Sequence, residues 1–460
     1  MQQQMISRRE SAAPRWPLAA MLALAACNPA RGTTRVPEAP PGPPRAPGLG
    51  AAAELSAAAE VGRQLFFDKT LSASGQMSCA TCHDPDHAYG PPNNLAVQLG
   101  GPHLDEAGQR AVPSLRYKEA TPAYADLLDN PDGVSAPGPG GGYAWDGRAN
   151  TLAEQAKLPL LSPIEMANAS PAEVARKIAA APYAPQFAQA FGDARGDSDA
   201  VFKNALQALE AFQKEDSSFH PYTSKFDLHA GNKIGGSWTP AESRGGLVFA
   251  SPKLGNCASC HYPGAGLNGS SGMFTDYSYE AIGVPRNAAL ASNRDAKFTD
   301  LGLCGPLRAD HPAGPDGTNR FCGMFKTPTL RNVVARKVFF HNGAMHSLEQ
   351  VIRFYNTRDT MPELWYPTLG GQPKAKPDPR FPRYGLITAE YVGGRVQKYD
   401  DLPEAFRGNI DPQMPLDGRR AGSKPPLSEQ QIADLICFLE TLTDGYRVPA
   451  TPPVSGRCVN

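Results

Sequence analysis

The sequence has no surplus of charge of either sign: Lys and Arg total 45, and so do Asp and Glu. Nucleic-acid partners are met by a clustered basic excess, and nothing here points to one. Beyond the N-terminal leader no segment is apolar enough to cross a membrane. Few segments alternate apolar and polar residues as half-buried strands do, which argues against a β-rich fold. Long uninterrupted helices are also scarce. The 45 glycines and 46 prolines make up about a fifth of the 460 residues and break the chain into short helical stretches joined by irregular segments. The length suggests more than one domain and supports a large core.

The leader is a targeting segment. Arg8, Arg9 and Arg15 form a basic start, and Trp16 to Ala26 is an apolar run too short to span a bilayer comfortably. It ends in Leu24-Ala25-Ala26-Cys27, a pattern similar to a bacterial lipoprotein signal with Cys27 as the lipidated residue. A secretory signal cut after a small residue is the alternative. Either leads out of the cytosol. The expectation is the periplasm, with a lipid at Cys27 tethering the protein to a membrane surface. Residues 28–54, rich in Pro, Ala and Gly, read as a flexible linker.

Two short segments carry the chemistry: Cys79-Ala80-Thr81-Cys82-His83 and Cys257-Ala258-Ser259-Cys260-His261. A zinc ribbon needs its two cysteine pairs close together or extra ligands nearby, and these lie far apart. A redox dithiol has no use for a histidine directly after it. Covalent haem attachment does: both thiols form thioethers with the haem vinyl groups, and the adjacent His becomes the axial ligand of the iron. Two complete C-x-x-C-H segments in an exported chain therefore predict two covalently bound c-type haems, with His83 and His261 as iron ligands.

Each segment follows a helix. Ala57 to Phe67 is helical in pattern, with Leu55, Ala58, Gly62 and Leu65 on one stripe. Thr239-Pro240-Ala241-Glu242 is a capping box that opens a helix running to about Phe249. This duplicated unit resembles the cytochrome c fold, so the expected architecture is mostly α: two tandem cytochrome c-like domains with long loops, spanning 55–235 and 236–460, with the boundary in the glycine-dense stretch Gly231 to Ser237. Further helices are predicted from Ser170 to Ala180, from Ser347 to Tyr355 and from Ser428 to Thr443. Cys304, Cys322, Cys437 and Cys458 remain, and three pairings are open to them. In an oxidising compartment the local pairs Cys304–Cys322 and Cys437–Cys458 are the simplest.

The stretch between the haem segments holds Trp145-Asp146-Gly147-Arg148-Ala149, Gln155 and Pro163-Ile164-Glu165-Met166. It is preceded by Arg110-Ala111-Val112-Pro113-Ser114-Leu115. Phe325-Lys326-Thr327-Pro328-Thr329-Leu330-Arg331-Asn332 and His341-Asn342-Gly343 follow later. Here the chain resembles the bacterial di-haem cytochrome c peroxidase and MauG-like family, over roughly residues 55 to 447. The resemblance implies that peroxide reacts at the N-terminal haem. Glu165 would stand over the iron face opposite His83, Gln155 would add a hydrogen bond, and Trp145 would lie between the haems as a stepping point for electrons. The chemistry accounts for the carboxylate: splitting an O–O bond requires a proton taken from one oxygen and delivered to the other.

The resemblance also implies that the C-terminal haem moves electrons. Its second ligand is a Met in the peroxidase branch and a Tyr in the MauG-like branch. Leu348, Val351, Ile352 and Tyr355 share a helical face, so Tyr355 is the expected ligand, with Met345, Met361 and Met414 as alternatives. A phenolate oxygen favours the higher oxidation states of iron and Met sulfur favours Fe(II). Two features depart from the family. Ala111 stands where the family has an Asn that helps hold calcium, leaving only backbone carbonyls and water there. His103, in the loop before Arg110, is a candidate second ligand of the first iron, and a solvent-facing loop histidine is the plainer reading. The expected activity is reduction of hydrogen peroxide with electrons from a small donor protein, a cytochrome c or cupredoxin. The alternative is oxidation of tryptophan or other residues on a partner protein. A non-enzymatic electron carrier is a third reading, against which Glu165 and Gln155 argue.

Overall fold

The structure is a computed structural model that describes residues 54–194, 196–265, 271–314, 320–370, 372–373, 391–392, 394–451 and 455–459. The Cys27 leader and nearly all of the 28–54 linker lie outside these residues. Ten α-helices are present among those described: α1 (Ala57–Phe67), α2 (Cys79–Cys82), α3 (Leu152–Leu161), α4 (Pro171–Ala180), α5 (Ala184–Phe191), α6 (Ser198–Glu215), α7 (Lys225–Ala230), α8 (Pro240–Ala250), α9 (Leu348–Thr357) and α10 (Glu429–Glu440). Among the described residues, strands form five antiparallel pairs, each strand two to four residues long. Tyr279–Glu280 pairs with Phe325–Lys326, setting Tyr279 opposite Lys326. No described helix is long and apolar enough to cross a membrane.

Caps account for where the helices begin. Ser56 accepts a hydrogen bond from the Ala59 amide at 3.1 Å, and Thr239 and Ser428 each form a reciprocal capping box with Glu242 and Gln431. The stripe expected on α1 is rotated slightly. Ala59, Val61, Gly62, Leu65 and Phe66 are the buried residues, and Ala58 is only half-buried. The partner that draws this face inward is α6, the longest helix, whose buried Phe202, Ala205, Leu206, Leu209 and Phe212 recur at helical spacing.

The same arrangement returns in the second half, where α8 packs on α10. In both crossings a glycine of the first helix, Gly62 or Gly245, lies against the backbone of the second with no room for a Cβ. Apolar side chains gather accordingly in two large clusters. One is drawn from 61–219 around Leu65, Phe66 and Phe212. The other is drawn from 248–442 around Phe249, Phe274 and Phe438. Gly231 to Ser237 runs as turns between α7 and α8. Among the described residues, the four cysteines outside the two C-x-x-C-H segments pair locally, Cys304 with Cys322 and Cys437 with Cys458.

Candidate functional site

Helix α2 is a single turn, held by the Thr81 hydroxyl, which accepts from the Ser78 amide at 2.9 Å. It presents Cys79 and Cys82 to a cavity of about 380 Å³, with His83 as its C-cap, and Gln155 on α3, Glu165 and Trp145 line the same space. Neither thiol is in a disulfide. Burial pushes both up to about 12, leaving them neutral, the opposite of the lowered pKa of a redox-active dithiol. The His83 Nδ1 lies 3.0 Å from the Tyr89 carbonyl. A carbonyl only accepts, so Nδ1 carries the proton and Nε2 keeps its lone pair for a metal. Burial lowers this histidine to about 4, which keeps it neutral.

Glu165 lies in the turn that follows α3. Its amide donates to the Ser162 carbonyl at 3.1 Å, and its own carbonyl accepts from the Gly101 amide at 2.8 Å. Gly100 packs directly on it: a Cβ there would fall 2.8 Å from the Glu165 Cα. Burial raises the Glu165 pKa above the ordinary carboxylate range, opposed by a hydrogen bond from Ser162 and the positive charge of Arg148. A carboxyl with a raised pKa, facing a cavity that an amide side chain also lines, is suited to taking up and returning a proton.

The second C-x-x-C-H segment opens on a separate cavity of about 220 Å³, lined by Cys257, Cys260 and His261. The His261 Nδ1 lies 3.2 Å from the Phe274 carbonyl and 3.1 Å from the Pro328 carbonyl, so its Nε2 is likewise free. Burial lowers its pKa to about 4 and pushes the Cys257 thiol up to about 12. Leu348, Val351, Ile352 and Tyr355 of α9 all face this space, the four residues that the helical spacing put on one face. Burial, reinforced by the nearby Cys260 and Cys257, raises the Tyr355 phenol. Of the methionine alternatives, only Met414 lines the cavity, and its sulfur lies 3.5 Å from Arg419 Nη2. Met345 is buried in the apolar cluster, and Met361 is exposed. Free paired thiols followed by a neutral histidine with a free Nε2, repeated in two cavities, fit covalently held haem.

Trp145 lines both cavities. Its indole N–H donates to the Ala111 carbonyl at 2.8 Å, and its own carbonyl accepts from the Lys326 amide at 2.9 Å. Pro113 and Pro328 also face both spaces. The Pro113 carbonyl acts on the His83 ring as the Pro328 carbonyl does on that of His261. The sequence carried a signal for this that went unread: Pro113-Ser114-Leu115-Arg116 is repeated as Pro328-Thr329-Leu330-Arg331.

His103 is not brought to the site. Gly101 to Leu104 forms the turn between the paired strands Leu99–Gly100 and Glu106–Ala107, and His103 sits exposed on it, lining neither cavity. The Ala111 amide donates to the His341 carbonyl at 2.7 Å. The nearby carboxylates of Asp146 and Asp300 are both engaged by Arg110 at 2.7 Å. Among the described residues, the convergent triplet of possible metal-binding groups is Cys437, Glu440 and Cys458, whose cysteines are joined in a disulfide.

The family model for di-haem cytochrome c peroxidases matches residues 56–233. The methylamine utilization protein MauG of Paracoccus denitrificans is 34% identical over 397 residues, covering 84% of this chain and 89% of that protein. Cytochrome c551 peroxidase of Nitrosomonas europaea is 28% identical over 299 residues, 64% of this chain and 71% of its own. Among solved structures, the diheme peroxidase BthA from Burkholderia thailandensis is 35% identical, with a TM-score of 0.69 over 86% of this chain and 88% of that one. A likeness of this depth, spread over most of both chains, makes the protein a member of the di-haem cytochrome c peroxidase and MauG family, oxidoreductases that act on peroxide.

Proposed function

We propose that this protein is a periplasmic di-haem peroxidase that reduces hydrogen peroxide to water in its N-terminal unit, residues 55–235, with electrons relayed through its C-terminal unit, residues 236–460. Cys79, Cys82 and His83 hold one c-type haem, and Cys257, Cys260 and His261 hold the other. When bound, each haem supplies a redox-active iron that exchanges single electrons. The chain's own residues do the rest. Glu165 takes a proton from one peroxide oxygen and returns it to the other, Gln155 orients the peroxide by a hydrogen bond, and Trp145 bridges the two cavities for electron passage. Each turnover consumes one peroxide, two electrons and two protons and yields two waters. A small cytochrome c or cupredoxin is the electron source, and a lipid at Cys27 keeps the enzyme at a membrane surface.

The observation that carries this reading is that Glu165, with its raised pKa, and Gln155 line the same cavity as Cys79, Cys82 and His83. The test is peroxide-dependent oxidation of a reduced small c-type cytochrome, followed at its visible absorption band. A two-haem preparation that consumes no peroxide in that assay overturns the proposal.

A second reading is favoured by Tyr355 in the wall of the other cavity. An oxygen ligand there would stabilise oxidised iron, as suits a MauG-like enzyme that uses peroxide to oxidise residues of a partner protein. The two readings separate on adding peroxide to the all-ferric protein. An immediate spectral change over both haems favours protein oxidation, and a reaction only after one haem is reduced favours the peroxidase.

A further inference from the structure

Most buried cations among the described residues have an acid beside them. Arg110 pairs with Asp146 and Asp300, Arg331 with Asp227, Arg358 with Asp359, and Lys225 with Glu242. Three others, each half-buried, do not follow this pattern, and all three face the haem cavities. Lys118 and Lys326 line both, and Arg336 lines the second. Among the described residues, Lys326 donates to the Gly142 carbonyl and lies 5.7 and 6.0 Å from the ring centres of Tyr143 and Tyr277, all neutral partners. Among the described residues, Arg336 donates to the Val338 and Val112 carbonyls, each at 3.2 Å. Lys118 feels the charge of Glu119, its neighbour in sequence, whose Oε1 accepts from the Tyr222 hydroxyl at 3.2 Å.

Drawing a cation out of water without an acid beside it is costly. Burial drives Lys118 down to about 8 and Arg336 to about 10, and it drives Lys326 well below the ordinary lysine range, with Lys118 adding repulsion. A fold that gathers these charges at the wall between two cavities has left the anions to another molecule. The proposed occupant of each cavity brings them, since a haem carries two propionate carboxylates on one edge.

We propose that Lys118, Lys326 and Arg336 bind the haem propionates, the two lysines serving both groups and Arg336 the C-terminal one, so that a single cationic wall sets and couples the two reduction potentials. This rests on the di-haem reading. The sign follows from electrostatics: a nearby positive charge favours the iron that has gained an electron, so removing it lowers the potential.

The experiment is a spectroelectrochemical titration of the holoprotein and its Lys326→Met, Lys118→Met and Arg336→Met variants, with the haem number of each measured as the pyridine haemochrome. Exposed Lys297→Met is the control. Either lysine variant is expected to shift both midpoint potentials to more negative values, Arg336→Met to shift one, and the control neither. Lys326→Arg should restore the wild-type values. If Lys326→Met does not mature, Lys118→Met and Lys326→Gln carry the same comparison. Potentials that stay unchanged, or a lysine variant that moves only one, overturn the shared wall. A wild-type chain without two haems sinks the di-haem reading instead, and this inference with it.

Discussion

Gly62 lies so close to Ala208 that a Cβ on the glycine would come within 1.9 Å of the Ala208 carbonyl oxygen. In the second half a Cβ on Gly245 would meet the Asp434 carbonyl oxygen at the same 1.9 Å, with Phe438 four residues on, as Phe212 is from Ala208. The backbone opposite cannot move aside as a flexible side chain would. Gly62→Ala and Gly245→Ala are each expected to destabilise the fold by about 1–3 kcal/mol, the usual cost of overpacking. Urea unfolding curves measure it, and a wild-type midpoint for both would show that the helices separate freely.

Both C-x-x-C-H segments are complete and their thiols unpaired. Acid extraction of the denatured protein should therefore leave two haems on each chain. The Cys79→Ser/Cys82→Ser double variant should keep one, and Cys257→Ser/Cys260→Ser should keep the other. A wild-type chain that retains one haem or none after extraction defeats this expectation.

Glu165→Gln should react with peroxide at least about a hundredfold more slowly, the usual contribution of a positioned acid–base group, with both haems retained. The pH profile gives a second readout. Glu165 accepts a proton only when ionised, and burial holds its pKa above the ordinary carboxylate value. The wild-type rate should therefore fall on the acid side at a higher pH than a glutamate of ordinary pKa would produce, and that limb should vanish in Glu165→Gln. A variant with the wild-type rate and profile would assign the acid–base role elsewhere.

Gly100 touches the Glu165 backbone without touching a reacting atom, so it is a positioning residue. Gly100→Ala should lower peroxide turnover at unchanged haem content and move the acid limb of the pH profile with it. Lost turnover with an unmoved limb would mean that the substitution acts on something other than Glu165.

Tyr355→Phe keeps the ring against Phe340 and Phe354 and removes only the oxygen. With the phenolate gone, the ferric EPR signal of the C-terminal haem should change and its reduction potential should rise. An unchanged EPR spectrum would exclude tyrosine as the ligand and direct attention to Met414, which shares the cavity.

Residues 79–83 and 257–261 stood out at once as contiguous C-x-x-C-H segments, and the structure sets the cysteines and histidine of each in the wall of a cavity. Helix starts at Ser170, Thr239, Ser347 and Ser428 were readable for a related reason: a cap satisfies amides within three positions of itself. The stripe of Leu348, Val351, Ile352 and Tyr355 needed only the helical period. Other features required the chain to be folded. Nothing local separates Met414, which faces the second cavity, from Met345 and Met361, which do not, and nothing near His103 says that a strand pair turns it toward solvent. Helix α6 had the right periodicity, but its importance comes from Gly62, well over a hundred residues earlier. Lys118, Lys326 and Arg336 are the sharpest case. A lysine in sequence reads as a solvated charge, and only long-range packing removes much of the water and sets it half-buried in the wall of a cavity.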